Sequence, residues 1–88
     1  MKYTIKFRSA VEKNLRTIPQ KDLIRIKRKI DALAENLPDQ AITKMKGNNN
    51  FHKVRVGDFR IIYEIHNDTL VILVVKIGHR KDIYKKLP

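Results

Sequence analysis

Hydrophobic and polar positions follow two different periods along the first part of the chain. Residues 3–8 alternate between apolar and polar side chains, which predicts a half-buried strand. Residues 11–18 instead carry apolar side chains at spacings of four and three, which is typical of one face of a short helix. Ser9 and Glu12 have the spacing of a capping box at the start of this helix, and Pro19 is predicted to end it.

A longer amphipathic helix is predicted next. Apolar side chains recur at spacings of three and four from Leu23 to Leu37, and Pro38 closes the segment. Two such helices in succession predict an antiparallel helical hairpin, whose apolar faces need a sheet to cover them. In the connector that follows, at 39–50, we expect Ile42 and Met45 to reach the core.

The second half of the chain has the pattern of a strand meander. The predicted segments are strands over 51–56, 59–66 and 70–77, a tight turn at 57–58 and a two-residue hairpin turn at 67–68. Residues 70–75 are apolar at every position, as expected of a central strand covered on both faces, and Gly78 is predicted to end that strand.

These elements predict the fold class. We expect an α+β fold in which an N-terminal strand, a helical hairpin and a three-stranded antiparallel meander form a small sheet covered on one face by the helices. Residues 1–88 are expected to form a single domain, because a chain of this length has no room for two separate cores.

Charge gives the first indication of a partner. Twenty lysine and arginine residues stand against nine aspartate and glutamate residues, so the formal net charge is +11, and the excess is spread over both halves of the chain. Such a charge attracts polyanions, which makes nucleic acid the leading partner class. The alternatives are a charge that serves solubility or a surface for an acidic protein.

Composition also excludes several classes of function. The chain has no cysteine, which excludes disulfides, thiolate zinc sites and cysteine nucleophiles. No apolar run approaches the roughly 20 residues that span a bilayer, so we expect a cytoplasmic protein that has no membrane partner. The three histidines lack metal-ligand spacing, and no cofactor-binding motif is present, so neither a metal nor a cofactor is expected.

Strand periodicity brings three cations together. If Val54 and Val56 point into the core, Lys53 and Arg55 emerge on the opposite side of the sheet, the same side as Arg60. Clustered cations repel one another unless an anion is bound, so their placement indicates an anion site. The alternative is an ordinary solvated sheet face.

The C-terminal segment is predicted to complete this cluster. Arg80 and Tyr84 are four residues apart, so one helical turn would place them on one face, next to the cations at the end of the last strand. Cations and an aromatic ring together can clamp phosphates and stack a nucleobase. His79 is the only histidine near this site, and it has both a structural and a proton-transfer interpretation.

Two segments carry a resemblance to a known family. They are FHKVRVGDFRIIYEI at 51–65 and VKIGHRKDIY at 75–84. With the order of the elements, they resemble the RelE branch of the RelE/ParE toxin superfamily. The resemblance implies a RelE-like, microbial-RNase-type fold and a toxin of a type II toxin–antitoxin system. The partners it implies are a cognate antitoxin protein, the ribosomal A site and mRNA.

The resemblance also implies a chemistry and a set of catalytic residues. RelE-type members cut mRNA in the ribosomal A site without a metal, using the RNA 2′-hydroxyl as the attacking group. The family's active positions match Lys53, Arg55, Arg60, Arg80 and Tyr84, and Arg55 stands where the family has a lysine. We therefore predict that Lys53 is the general base, because a guanidinium stays protonated in proteins. Arg55 and Arg60 would hold the phosphate. Arg80 would stabilise charge or donate the proton, and Tyr84 would stack on a base.

Two other functions are compatible with the same fold. One is a ParE-like inhibitor that binds DNA gyrase without cutting RNA. The other is a basic RNA- or protein-binding homologue that has lost activity. A gyrase inhibitor would not need the five predicted catalytic residues, so that set is the feature that separates the hypotheses.

Overall fold

The computed structural model describes residues 2–38, 40–47 and 50–79. Within these ranges the chain forms three helices and four strands. In chain order they are β1 (Thr4–Phe7), α1 (Ser9–Leu15), α2 (Gln20–Glu35), α3 (Gln40–Thr43), β2 (Phe51–Val56), β3 (Phe59–His66) and β4 (Val71–His79).

The four strands form one sheet in the order β1-β4-β3-β2. Strands β2, β3 and β4 are antiparallel neighbours, and β1 pairs in parallel with β4. The helices of the crossover between β1 and the meander pack on one face of this sheet. The structure therefore confirms the predicted α+β class and adds the position of the N-terminal strand, which makes β4 a central strand.

The main core lies between the helices and one face of the sheet. Helix α1 contacts β4, and α2 contacts β1 and β2. The predicted apolar faces meet here, since residues at helical spacing on α2 pack against alternate residues of the strands. The buried members of this core are Val11, Ile18, Ile26, Ile30, Leu33, Ile61, Tyr63, Ile72, Val74 and Ile77.

The turn between β2 and β3 is tight, as predicted. Gly57 has a φ of +59° and is the only residue of this two-residue turn with a positive φ, which is the pattern of a type II′ hairpin. The Arg55 Nε atom donates a hydrogen bond of 3.0 Å to the Gly57 carbonyl oxygen. This turn fixes the register in which the two strands face each other.

The predicted capping box at the start of α1 is wrong. Arg8 is the N-cap residue, its side chain makes no capping hydrogen bond, and its carbonyl accepts hydrogen bonds from the backbone amides of Val11 and Glu12. The amide of Arg8 still donates to the carbonyl of Val74 in the sheet, so the helix begins directly after the strand. Ser9 is consequently the first helical residue and not the cap.

The connector before β2 also differs from the prediction. Ile42 is 80% exposed, so the expectation that it reaches the core is wrong. It lies on the short helix α3, where Thr43 instead faces inward against His52. Met45 is partly buried as expected, and its amide donates to the Phe51 carbonyl oxygen at the start of β2.

The connection between β3 and β4 is longer than the predicted two-residue turn. It spans residues 67–70, and the positive φ of +54° falls on Leu70. This connection contacts the N-terminal segment. The Leu70 carbonyl accepts a hydrogen bond from the Thr4 amide, and the Tyr3 hydroxyl donates to Asn67 Oδ1 at 2.6 Å.

An irregularity in β4 changes which of its residues face the core. Tyr63 lies opposite Val74, whereas Ile62 lies opposite Lys76, so Val75 is an extra residue in the ladder. This β-bulge shifts the alternation by one position. Lys76 consequently shares the helix-free face of the sheet with Ile62.

The prediction that this strand ends at Gly78 is wrong. The strand continues to His79, and Gly78 pairs with Arg60 on β3. The pairing with β3 therefore reaches the end of the sheet where the β2–β3 turn lies.

Candidate functional site

Three of the predicted site residues lie on the helix-free face of the sheet. Arg55 is the direct cross-strand partner of Arg60, and Lys53 is the direct partner of Ile62. Ile62 packs in a small second cluster on the side opposite the main core. Because direct partners in a sheet point to the same side, Lys53, Arg55 and Arg60 all emerge there.

A fourth cation, Lys76, joins them and was missed by the sequence analysis. It is the partner of Ile62 on the other flank of β3, so one row across the sheet runs Lys53, Ile62, Lys76. Strict alternation from Val74 would place Lys76 on the core side, and only the bulge turns it outward. A lysine at a core position of an otherwise apolar strand is the sequence signal that could have indicated this bulge. We call the four residues Lys53, Arg55, Arg60 and Lys76 the cationic face.

The cationic face concentrates positive charge on two neighbouring rows of the sheet. The two rows that form it, Lys53–Ile62–Lys76 and Arg55–Arg60–Gly78, contain four cations and no carboxylate. Like charges that face each other across strands destabilise a sheet, by roughly 0.2–1 kcal/mol per pair. Arg55 and Lys53 are exposed, whereas Arg60 is half-buried and its Nε atom is shielded from solvent. The face therefore combines two exposed cations with one whose guanidinium is partly withdrawn from solvent.

Among the described residues of the sheet, a carboxylate stands on the next row on this side, at Glu64. Glu64 Oε1 lies 3.1 Å from Nε2 of His66, two residues along the same strand. The carboxylate is therefore paired along β3.

Helix α2 extends the positive charge around the β2–β3 turn. The Arg25 guanidinium lies over Gly57, where its nearest nitrogen would be 3.2 Å from a Cβ atom built on the glycine. A shallow depression between α2 and this turn is lined by Arg25, Arg28, Lys29 and Arg55. The helical spacing of these basic residues is visible in the sequence, but their approach to Arg55 depends on how α2 crosses β2.

A buried polar cluster anchors the start of β2 beneath α3. His52 is 7% exposed, and its ring stacks on Tyr63 at a centroid distance of 5.6 Å. Its Nδ1 atom lies 2.9 Å from the Thr43 hydroxyl oxygen. Burial, together with the positive charge of Lys44, lowers the pKa of His52 below its usual value. Burial also raises the pKa of Tyr63, an effect that the Thr43 hydroxyl partly offsets.

The remaining predicted residues follow β4. His79 is the partner of Phe59, and the two rings meet edge-on at 5.9 Å. Phe59 packs against the main core, so His79 lies on the side opposite the cationic face, which supports its structural interpretation. Arg80 and Tyr84 lie outside the described residues.

Two negative findings apply to the described ranges. No group of three or more histidine and acidic side chains there is arranged to hold a metal ion. In the same ranges, none of the helices combines the length and the apolar character needed to cross a membrane.

Comparison with known proteins identifies the family. The sequence profile described as "ParE toxin of type II toxin-antitoxin system, parDE" matches residues 3–84, which is nearly the whole chain. The chain belongs to the RelE/ParE toxin superfamily. Within the superfamily it is 32% identical to the RelE1 protein of Methanocaldococcus jannaschii over 88 residues, covering 97% of this chain and 98% of that protein.

Solved structures place this superfamily member among RelE toxins. The RelE chain of a RelB–RelE antitoxin–toxin complex from Methanococcus jannaschii aligns with a TM-score of 0.70 and 30% identity, covering 94% of this chain and 99% of that chain. The archaeal RelE–RelB complex from Pyrococcus horikoshii gives a TM-score of 0.75 at 26% identity, covering 91% and 97%. The intact Escherichia coli RelBE complex gives 0.77 at 20% identity, covering 88% and 95%, which shows the shared fold alone.

Proposed function

We propose that this chain is the toxin of a type II toxin–antitoxin pair and a ribosome-dependent endoribonuclease that cuts mRNA in the A site. The observation that carries the proposal is the cationic face, where Arg55 directly faces Arg60 with Lys53 one row away. Such a set of cations can hold a phosphodiester, and phosphoryl-transfer reactions depend on stabilising negative charge at the phosphate.

The proposed reaction uses the RNA as its own nucleophile. Lys53 acts as the general base that accepts the proton of the 2′-hydroxyl, and the 2′ oxygen attacks the neighbouring phosphorus. Arg55 and Arg60 bind the non-bridging oxygens, where negative charge develops. The bond between phosphorus and the 5′ oxygen then breaks, which leaves a 2′,3′-cyclic phosphate and a 5′-hydroxyl.

The sequence assigns the last two roles to the C-terminal segment. Arg80 stabilises the developing charge or supplies the proton that the leaving 5′ oxygen needs, and Tyr84 stacks on a base to orient the strand. These two roles rest on the resemblance of residues 75–84 to the RelE branch.

Partner and location follow from the relatives and from charge. The related RelE chains occur in complexes with RelB antitoxins. We propose that this chain likewise binds a cognate antitoxin in the cytoplasm, and its net charge of +11 favours an acidic segment of that partner.

Gyrase inhibition is the second candidate function. It is favoured by the description of the matching family profile, which names a ParE toxin. An inhibitor that acts by binding alone has no need for Lys53 as a base, so the two functions predict different effects of changing that side chain.

Cleavage by purified ribosomes programmed with a defined mRNA tests the proposal. We expect the wild-type chain to cut in the A-site codon and to leave a 2′,3′-cyclic phosphate. Lys53→Ala should lower the cleavage rate by about 10²–10⁴-fold, the usual contribution of a general base. Lys21→Ala, which removes an exposed cation from α2, is the matched control and should cleave at the wild-type rate.

The results that would contradict the proposal are distinct. Wild-type cleavage by Lys53→Ala would exclude Lys53 as the base. Inhibition of gyrase-catalysed supercoiling without any mRNA cleavage would instead support the ParE-like function. Thermal unfolding of each variant provides the folding control, and the exposure of Lys53 predicts an unchanged transition.

A further inference from the structure

A second basic groove lies at the edge of the sheet, between α1 and β4. Strand β1 pairs with β4 only as far as Val74, although β4 continues to His79. Beyond that point α1 takes the place of a neighbouring strand, and the side-chain amide of Asn14 donates a hydrogen bond to the carbonyl of Ile77. The exchange of a strand for a helix leaves a groove of about 610 Å³ along this edge.

The lining of the groove favours an anion that also has apolar parts. Three basic side chains, Arg8, Lys13 and Lys76, line it, and no carboxylate is among the described residues of the lining. Val11 and Val75 contribute apolar surface between them. A volume of this size falls in the range of small-ligand sites.

The groove is continuous with the cationic face. Lys76 lines the groove and also lies in the row that contains Lys53. Val75 lines the groove too, and it packs with Ile62 on the helix-free side of the sheet. A linear polyanion on the cationic face can therefore continue past Lys76 into the groove without crossing a negatively charged side chain of the two rows.

We propose that this groove binds a backbone phosphate of a single RNA strand, next to the phosphate held on the cationic face. Arg8 and Lys13 would contact that phosphate, and Lys76 would lie between the two phosphate sites. The assignment of RNA as the occupant rests on the function proposed above, since it follows from the continuity of the two surfaces. An acidic peptide is the competing occupant, and the experiment separates it from RNA.

The test measures binding of non-cleavable RNA. Fluorescence anisotropy with 2′-O-methyl oligonucleotides of three and nine nucleotides, at several salt concentrations, gives the dependence of log K on log salt. Each phosphate contact on a single strand contributes about 0.7 to this slope. Arg8→Ala/Lys13→Ala removes the contacts to this one phosphate and should therefore lower the nonamer slope by about 0.7 and weaken nonamer binding. Trimer binding should stay unchanged, because a bound trimer occupies only the cationic face and does not reach the groove.

A matched control separates a defined site from general charge loss. Lys21→Ala/Lys27→Ala removes two exposed cations of α2 that do not line the groove, and it should leave the nonamer slope at the wild-type value. If the groove double variant does not fold, Lys13→Glu at an exposed helical position provides the same comparison. Its nonamer slope should fall and its trimer slope should not.

Several results would overturn the proposal. They are an equal loss of slope in the groove and control variants, a nonamer slope that does not change, or a groove variant that loses affinity for a nine-residue glutamate-rich peptide but not for RNA. Failure of the proposed function has a different signature. The wild-type chain would then not cut mRNA on programmed ribosomes, while the difference between groove and control variants in nonamer binding would remain.

Discussion

Acidification should destabilise this fold through one buried histidine. His52 is 7% exposed, stacks on Tyr63 and lies within hydrogen-bond distance of Thr43. A charged imidazole at this position would lose its hydration and face the nearby ammonium group of Lys44, so the folded state favours the neutral ring and the pKa of His52 is lowered. The variant His52→Gln has a side chain that does not titrate. Comparing it with the wild-type chain therefore isolates the contribution of His52 to the pH dependence of stability.

The direction and size of the effect follow from proton linkage. In the unfolded chain the histidine titrates near 6.5, whereas in the folded chain its pKa is lower, so the unfolded state binds more protons between the two values. The contribution of His52 to stability is therefore complete above about pH 6.5 and is lost as the pH falls toward the folded-state pKa. One proton limits the slope to about 1.4 kcal/mol per pH unit, so the loss between pH 7 and pH 5 is at most about 2 kcal/mol.

Urea denaturation followed by circular dichroism at pH 7 and pH 5 measures this loss. The free energy of unfolding of the wild-type chain should fall more between the two pH values than that of His52→Gln, whose side chain stays neutral. Lys21→Gln, at an exposed position on α2, should keep the wild-type loss. Equal pH dependence in the wild-type chain and in His52→Gln would refute the assignment.

Two further predictions each compare a pair of positions. One pair differs in side-chain burial, and the other differs in the sign of the backbone φ. Ile26→Ala should reduce the free energy of unfolding by about 2–5 kcal/mol, because Ile26 is fully buried, whereas Ile42→Ala should change it by less than about 0.5 kcal/mol. Comparable losses in urea denaturation would contradict the burial of the two side chains. Gly57→Ala should cost about 1–2 kcal/mol, since an alanine would adopt a positive φ and its Cβ would meet the Arg25 guanidinium. Asp58→Ala, at the exposed second turn position, should unfold at close to the wild-type urea concentration, and equal effects at the two positions would exclude backbone strain as the cause.

Most of the fold could be predicted because its strands and its long helix have strong periodicity. The bounds of β2 and β3 were predicted to the residue, since alternating side chains and the Gly57 turn define them locally. The errors occur where tertiary contacts override local signals. Leu70 adopts the positive φ although Asn67 and Asp68 have the better turn chemistry, and its carbonyl accepts a hydrogen bond from the Thr4 amide, on a strand distant in sequence.

The candidate site was predictable only where alternation is regular. Lys53, Arg55 and Arg60 lie on two strands without a bulge between them, so counting by two placed them on one face. Lys76 could not be placed in this way, because the bulge opposite the Ile62–Tyr63 step reverses its direction. The approach of Arg25 to the β2–β3 turn depends on the crossing of α2 over the sheet, which no local pattern specifies.

The position of the cationic face explains how a small fold stays stable although the like-charged side chains of that face repel one another. The inward-facing neighbours of these cations on β2 and β3, Val54, Val56, Phe59 and Ile61, all pack against the main core. The apolar free energy of that core, at about 25 cal/mol per Å² buried, outweighs the roughly 0.2–1 kcal/mol by which one pair of like charges destabilises a sheet. The short type II′ turn fixes the register in which Arg55 and Arg60 are direct cross-strand partners. Under the proposed function, a phosphate would therefore meet two guanidinium groups whose positions the backbone already sets, and binding would require little ordering of the protein.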